Sequence, residues 1–194
     1  MIMDPRTPIF AAARTAKGSG FTQAHVDAIN AALDQAGVPR ELVPGQRTVG
    51  AKGIAVMHKW EGCKLVAYPD PGSADGNPWT IGWGSTGPGI TKGTVWTQAQ
   101  ADARFAQDLV SYAAAVSKFI GTTPTTQDQF DALVSFHYNT GKIAASTLGR
   151  KHKAGDYAGA QAEFGKWIYN DGKPMDGLKN RRADEAKLYA GKWA

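Results

Sequence analysis

The chain has 194 residues, 42% hydrophobic and 20% charged, with six Trp, seven Phe and six Tyr. That is enough apolar bulk for one well-buried domain with a small appendage, and it excludes a disordered chain. No apolar run approaches the roughly 20 residues of a membrane-spanning helix, and the single Cys63 excludes an internal disulfide. The start, MIMDPRTPIFAAARTAKGSG, has only a short Ala-rich patch, with Asp4 ahead of any basic residue. It makes a poor secretory signal, so synthesis in a reducing cytosol is expected. The net charge of +5 is uneven: residues 1–140 carry eleven basic and eleven acidic side chains, residues 141–194 eleven and six. The basic end would meet an anionic partner first, or it serves as a solvated surface.

The first segment, residues 1–46, contains one clear helix, with Thr22 as N-cap, Val26, Ile29 and Leu33 at helical spacing, and Gly37 and Pro39 closing it. VPRELVPGQR then reads as a linker. A second helix is predicted from about Thr48 to Glu61, stopped by Gly62. LVAY, a Pro/Gly/Asp/Asn-rich stretch and WTIGWG together signal a β-hairpin with a long loop. In its second strand Trp79, Ile81 and Trp83 would share an apolar face, leaving Thr80, Gly82 and Gly84 on a face an extended ligand could approach.

From Thr97 the pattern is helical to the end. Thr97 with Gln100 and Thr126 with Gln129 form capping boxes for helices ending before Gly121 and Gly141. Two more helices are predicted near 156–169 and 177–191.

Glu61, at a helix C-terminus beside Trp60 and one turn from Met57, has an environment that disfavours its anion and suits a proton donor. Asp70, in a loop of prolines and glycine, should stay solvated and ionised. Two carboxyls in contrasting settings, with the Thr80 hydroxyl opposite, suit glycoside hydrolysis. By themselves they better suit a helix-end cap or ion pair and an Asx-turn.

The run KWEGCKLVAYPDPGSADGNPWTIGWGSTG, followed by YNTG at 138–141, STL at 146–148 and GLKNRRADEAKLY at 177–189, resembles the phage-type lysozymes of glycoside hydrolase family 24. The resemblance covers about residues 48–194. It implies an α+β, mostly α, lysozyme-like two-lobed fold with a small β-hairpin lobe and a helical C-terminal lobe. The domain plan is then an N-terminal extension at 1–46, either packed on the domain or wall-targeting, and a catalytic domain at 47–194.

The same resemblance implies an endolysin N-acetylmuramidase acting on bacterial peptidoglycan without a cofactor. Glu61 would be the general acid, and Asp70 and Thr80 would hold the attacking water of an inverting reaction. An inverting pair stands about 6.5–9.5 Å apart, so that separation is expected for Glu61 and Asp70. Tyr138, Asn139 and Thr147 match cleft-lining, substrate-binding positions. Arg181 matches an arginine that approaches the catalytic Glu. The implied route is accumulation in the host cytosol and passage through a holin lesion; a monomer is the default expectation.

Three departures stand out: Ser85 replaces the family's His, the Asp70-to-Thr80 loop is long and carries a competing Asp75, and residues 1–46 precede the family region. His58, His137 and His152 lack metal-like spacing, so no metal site is expected. Cys63 reads as a small hydrophobe. No nucleic-acid recognition motif accompanies the basic end, which could instead meet anionic outer-membrane or wall polymers. Two rival activities remain open, a lytic transglycosylase on the same bond and a cationic wall- or membrane-binding lytic protein.

Overall fold

The computed structural model describes residues 6–17, 22–35, 47–69 and 77–193. The expected helix stop at Gly37 and Pro39, most of the linker, and the loop acids Asp70 and Asp75 lie outside them. In chain order the elements are α1 (Thr7–Lys17), α2 (Gln23–Gln35), α3 (Ala51–Glu61), β1 (Lys64–Tyr68), β2 (Thr80–Gly82), α4 (Gln98–Ile120) and α5 (Gln127–Thr140). They continue with α6 (Thr147–Lys153), α7 (Tyr157–Glu163), a 3₁₀ turn (Phe164–Lys166), β3 (Tyr169–Asn170), β4 (Lys173–Pro174) and α8 (Asp176–Tyr189). The chain is thus mostly helical with small antiparallel sheets, the fold class expected.

The chain forms two compact units. One joins the N-terminal helices to Glu61–Val110, and the other joins Gln46–Trp60 to Ser111–Ala194. Two helices, α3 and α4, each contribute residues to both.

In the first unit, Leu33 of α2 is fully buried against Ala103 and Ala106 of α4, with Ile9, Ile29 and Ala32 packed around them. Arg6 ties α1 to α2, donating to Asn30 Oδ1 at 3.2 Å and to Asp34 Oδ1 at 2.6 Å. Helix α1 escaped the sequence reading because its Ala-rich run lacks a long apolar period; Pro8 in its first turn is a start signal.

β1 pairs antiparallel with β2, Lys64 opposite Gly82 and Tyr68 opposite Thr80, with an irregularity between. On the other edge of β1, Ala67 N–H donates to Thr94 C=O at 2.9 Å and Trp96 N–H to Leu65 C=O at 2.8 Å. Ala67, Ile81 and Ile90 form the small core beneath, flanked by Trp79 and Trp96. α4 begins where expected: Thr97 N–H donates to Gln100 Oε1 at 2.8 Å and Gln100 N–H to Thr97 Oγ1 at 3.2 Å.

The second strand is shorter than its alternation suggested. At Gly82 (φ 65°) and Gly84 (φ 99°) the chain turns back, and Ile81 and Ser85 exchange backbone hydrogen bonds. Trp83 therefore leaves the Trp79–Ile81 face and packs on α4, its ring tilted 6.1 Å from Phe105 and its indole N–H donating to Asp102 at 2.8 Å. Gly82 is not an open platform either. A Cβ there would stand 3.2 Å from the Trp96 ring and 3.3 Å from Ala101.

In the second unit, α5 carries the expected capping box at Thr126 and Gln129 and ends at a left-handed Gly141. Its buried face, Phe130, Leu133, Val134 and Phe136, meets α8, and the Phe136 ring contacts Phe164 and Trp167 edge-on. The N-terminus of α3 is capped from α5: Asp131 accepts from Gly50 N–H at 2.8 Å and Gly53 N–H at 3.2 Å. Burial pushes the Asp131 carboxyl up, against these bonds and one from Gln127. The helix predicted at 156–169 is α7 and its 3₁₀ turn, preceded by an unforeseen α6. The chain is also not helical to its end: Asp171 (φ 47°) and Gly172 (φ 73°) form a tight turn joining β3 to β4.

Candidate active site

Glu61 closes α3, and Gly62 adopts φ 63°, a left-handed stop that a side chain would strain. The last turn is fixed from α8: Asp184 Oδ2 accepts from Trp60 Nε1 at 3.1 Å and from Lys59 Nζ at 2.7 Å. Lys59 also lies 5.2 Å over the Trp60 ring. The residue before Glu61 is thereby held at both its ring face and its N–H.

β1 starts three residues later and ends at Tyr68, whose cross-strand partner is Thr80. The two side chains share a hydrogen bond, and the Glu61 charge acts on the Tyr68 phenol. Burial first and Glu61 second raise the Tyr68 hydroxyl above its usual range, against the Thr80 bond. Lys64 Nζ stands 4.3 Å over the Tyr68 ring, within cation–π range. Glu61, Tyr68 and Thr80 are each half-buried. Thr80 thus bonds to the Tyr68 phenol and the Glu61 charge acts on it through space, while Asp70 and the expected carboxyl separation lie outside the described residues. Cys63, half-buried, accepts from Gln98 Nε2 at 3.6 Å, and burial raises its thiol, which suits a packing role.

The other predicted positions belong to the second unit. Tyr138 is half-buried, its ring 4.8 Å from that of Tyr112. The exposed Asn139 accepts from Arg182 Nη2 at 2.9 Å through Oδ1, and the exposed Thr147 accepts from Arg150 Nη2 at 2.8 Å. Arg181 is buried, donating to Glu185 Oε1 at 3.1 Å and to the Ser135 carbonyl at 3.4 Å. Among the described residues there is no His/Cys/Asp/Glu group able to hold a metal ion.

The phage lysozyme family profile matches residues 58–185, from the last turn of α3 through most of α8. The chain belongs to the phage lysozyme family. It is 36% identical over 147 residues to an endolysin of Acyrthosiphon pisum secondary endosymbiont phage 1, covering 73% of this chain and 97% of that one. Identity to the endolysin of Bacillus phage PZA is also 36%, over 143 residues, again 73% of this chain but only 54% of the relative, so the chain spans about half of that protein. Among solved structures, the muramidase domain of SpmX from Asticaccaulis excentricus superposes with a TM-score of 0.65 at 29% identity, covering 74% of this chain and 98% of that one.

As a phage lysozyme the chain is a lysozyme-type glycoside hydrolase. Buried, Ser85 donates through Oγ to Asp108 Oδ2 at 2.8 Å, and Asp108 Oδ1 accepts from Arg104 Nε at 2.9 Å. Arg104 Nη2 in turn donates to the Thr86 carbonyl at 2.8 Å. Ser85 thus looks to α4. The sequence reading overlooked Tyr68 as a site residue, although its place at a strand end, two residues before Asp70 and with an apolar alternation behind it, was the available signal. Asp184 carried no such signal, since only folding brings it to Trp60.

Proposed function

We propose that this phage lysozyme is an endolysin N-acetylmuramidase. It hydrolyses the β-1,4 bond between N-acetylmuramic acid and N-acetylglucosamine in bacterial peptidoglycan. Glu61 protonates the glycosidic oxygen as the bond breaks. Asp70 and Thr80 hold the water that attacks the anomeric carbon from the opposite face, inverting it. The observation that supports this reading is the placement of Glu61 at the end of α3, just ahead of a hairpin that pairs Tyr68 with Thr80, with the Glu61 charge acting on the Tyr68 phenol.

Tyr138, Asn139 and Thr147 are proposed sugar contacts, and Arg181 the cation that approaches Glu61. Residues 1–46 are assigned as a helical extension of a catalytic domain at 47–194, a reading supported by the burial of Leu33 against α4. The protein acts as a monomer, made in the host cytosol and released to the wall through a holin-type lesion. No described helix is long and apolar enough to cross a membrane. The basic residues of the second unit would draw it to anionic wall or outer-membrane polymers.

Mass analysis of purified peptidoglycan after digestion tests the reaction. Reducing N-acetylmuramic acid ends, with turnover cut by about 10²–10⁴-fold in Glu61→Gln, are expected. Products carrying only 1,6-anhydro ends would make the protein a transglycosylase. Lysis of permeabilised cells by Glu61→Gln at the wild-type rate would make it a cationic binder.

A further inference from the structure

A hydroxyl that must hold a reacting water has to be held itself, because a threonine side chain turns freely about its C–O bond and its hydrogen follows whichever partner is nearest. On β2, Thr80 sits directly across the ladder from Tyr68, the last residue of β1. Opposed side chains of an antiparallel pair stand close enough for their polar ends to meet, and these two share a hydrogen bond. The Tyr68 backbone is held in the strand, and the Lys64 ammonium lies 4.3 Å over its ring.

We infer that Tyr68 is a positioning residue for the hydrolytic reaction, its hydroxyl locking the Thr80 hydroxyl in the orientation that receives the attacking water. The inference rests on the reading of Thr80 as a water-holding residue. Once Tyr68 takes one of the three hydrogen-bonding positions of the Thr80 oxygen, the two that remain are fixed in direction, and a water can take one of them. A water placed there is held in one attitude and not several, which is how orientation lowers a barrier without adding a charge. The phenol serves as a neutral group throughout: burial and the neighbouring Glu61 both oppose its ionisation. Tyr68 therefore adds no second anion to a site already expected to hold Asp70.

The test is a double-variant cycle on soluble peptidoglycan fragments, with rates normalised to the folded fraction measured by circular dichroism. Tyr68→Phe keeps the ring and the Lys64 contact and removes only the hydroxyl. It is expected to lower kcat about tenfold while KM stays within twofold. Thr80→Val is expected to lower kcat at least as much, and Tyr68→Phe added to Thr80→Val to lower it no further, because the group it orients is already gone. Installing 3-fluorotyrosine at position 68, which restores a hydroxyl, should return kcat to within threefold of wild type, whereas a merely structural role for the ring would make Phe and fluorotyrosine equivalent. Unchanged kcat in Tyr68→Phe beside a slowed Thr80→Val overturns the role of Tyr68 and leaves the hydrolytic reading intact. Losses that multiply in the double variant overturn it too. Full activity in Thr80→Val overturns the reading of Thr80 on which the inference stands.

Discussion

Ser135 Oγ donates a 2.7 Å hydrogen bond to Oε1 of Glu185, fifty residues away, in the interior of the second unit. Glu185 is fully buried and also meets Arg181 at 3.1 Å and Arg182 at 3.0 Å. Burial raises its carboxyl, against the pull of the two guanidinium groups. Both arginines are buried themselves. Glu185→Ala would strand two buried cations, and a loss of about 3–5 kcal/mol is expected in urea denaturation. A loss below 1 kcal/mol would show that the arginines find other anions or water.

His152 should make stability fall in mild acid. It is fully buried, with Nδ1 2.6 Å from the Tyr189 hydroxyl and Nε2 2.9 Å from Thr125 Oγ1. Burial, and then the Arg47 charge, lower its pKa from 6.5 to about 4. The unfolded chain takes up a proton near pH 6.5 that the folded chain refuses until about pH 4. Stability present above that upper pH is therefore lost as the pH falls through the window, by up to about 3 kcal/mol. Melting temperatures measured from pH 7 to pH 4 should decline steeply in the wild type and more gently in His152→Gln. Parallel declines would assign the slope to other groups.

An imidazole at position 85 should harm this chain. Ser85 is only 2% exposed and its hydroxyl is committed to Asp108. A larger ring there overpacks the site between the tight turn and α4, at a cost of about 1–3 kcal/mol. Ser85→His is accordingly expected to melt at a lower temperature than the wild type. An unchanged or higher melting temperature would mean that the turn yields easily.

Leu33→Ala measures how firmly the N-terminal helices belong to the first unit. Leu33 has no exposed surface and lies against Ala103 and Ala106. Its truncation should cost about 2–5 kcal/mol if α2 unfolds together with α4. A variant that unfolds with the wild-type midpoint, yet binds purified walls less well, would favour a separate wall-targeting role for residues 1–46.

What could be read beforehand was local in origin. The capping boxes of α4 and α5 and the glycine stops at Gly62, Gly121 and Gly141 were legible because cap and helix are neighbours in the chain. The start of α3 was placed three residues early because its cap, Asp131, comes from a different helix roughly eighty residues on. The Tyr169–Pro174 hairpin was hidden by the helical segments around it, although Asp171–Gly172 is a strong turn signal. Within the candidate site, Glu61 and Thr80 were singled out by the ordered motif that contains them. The Tyr68–Thr80 bond was not, because it depends on strand register, which an irregular ladder between Lys64 and Tyr68 conceals from simple counting.

β1 is bonded along both of its edges, to β2 on one side and to Thr94–Trp96 on the other. The stretch KLVAY, with Val66 exposed opposite an exposed Val95, would offer another chain an open ladder if either edge were bare. With a neighbour on each edge, it leaves an incoming chain no open side along which to extend a ladder. The strand that presents Tyr68 can thus display apolar surface at high protein concentration without seeding aggregation.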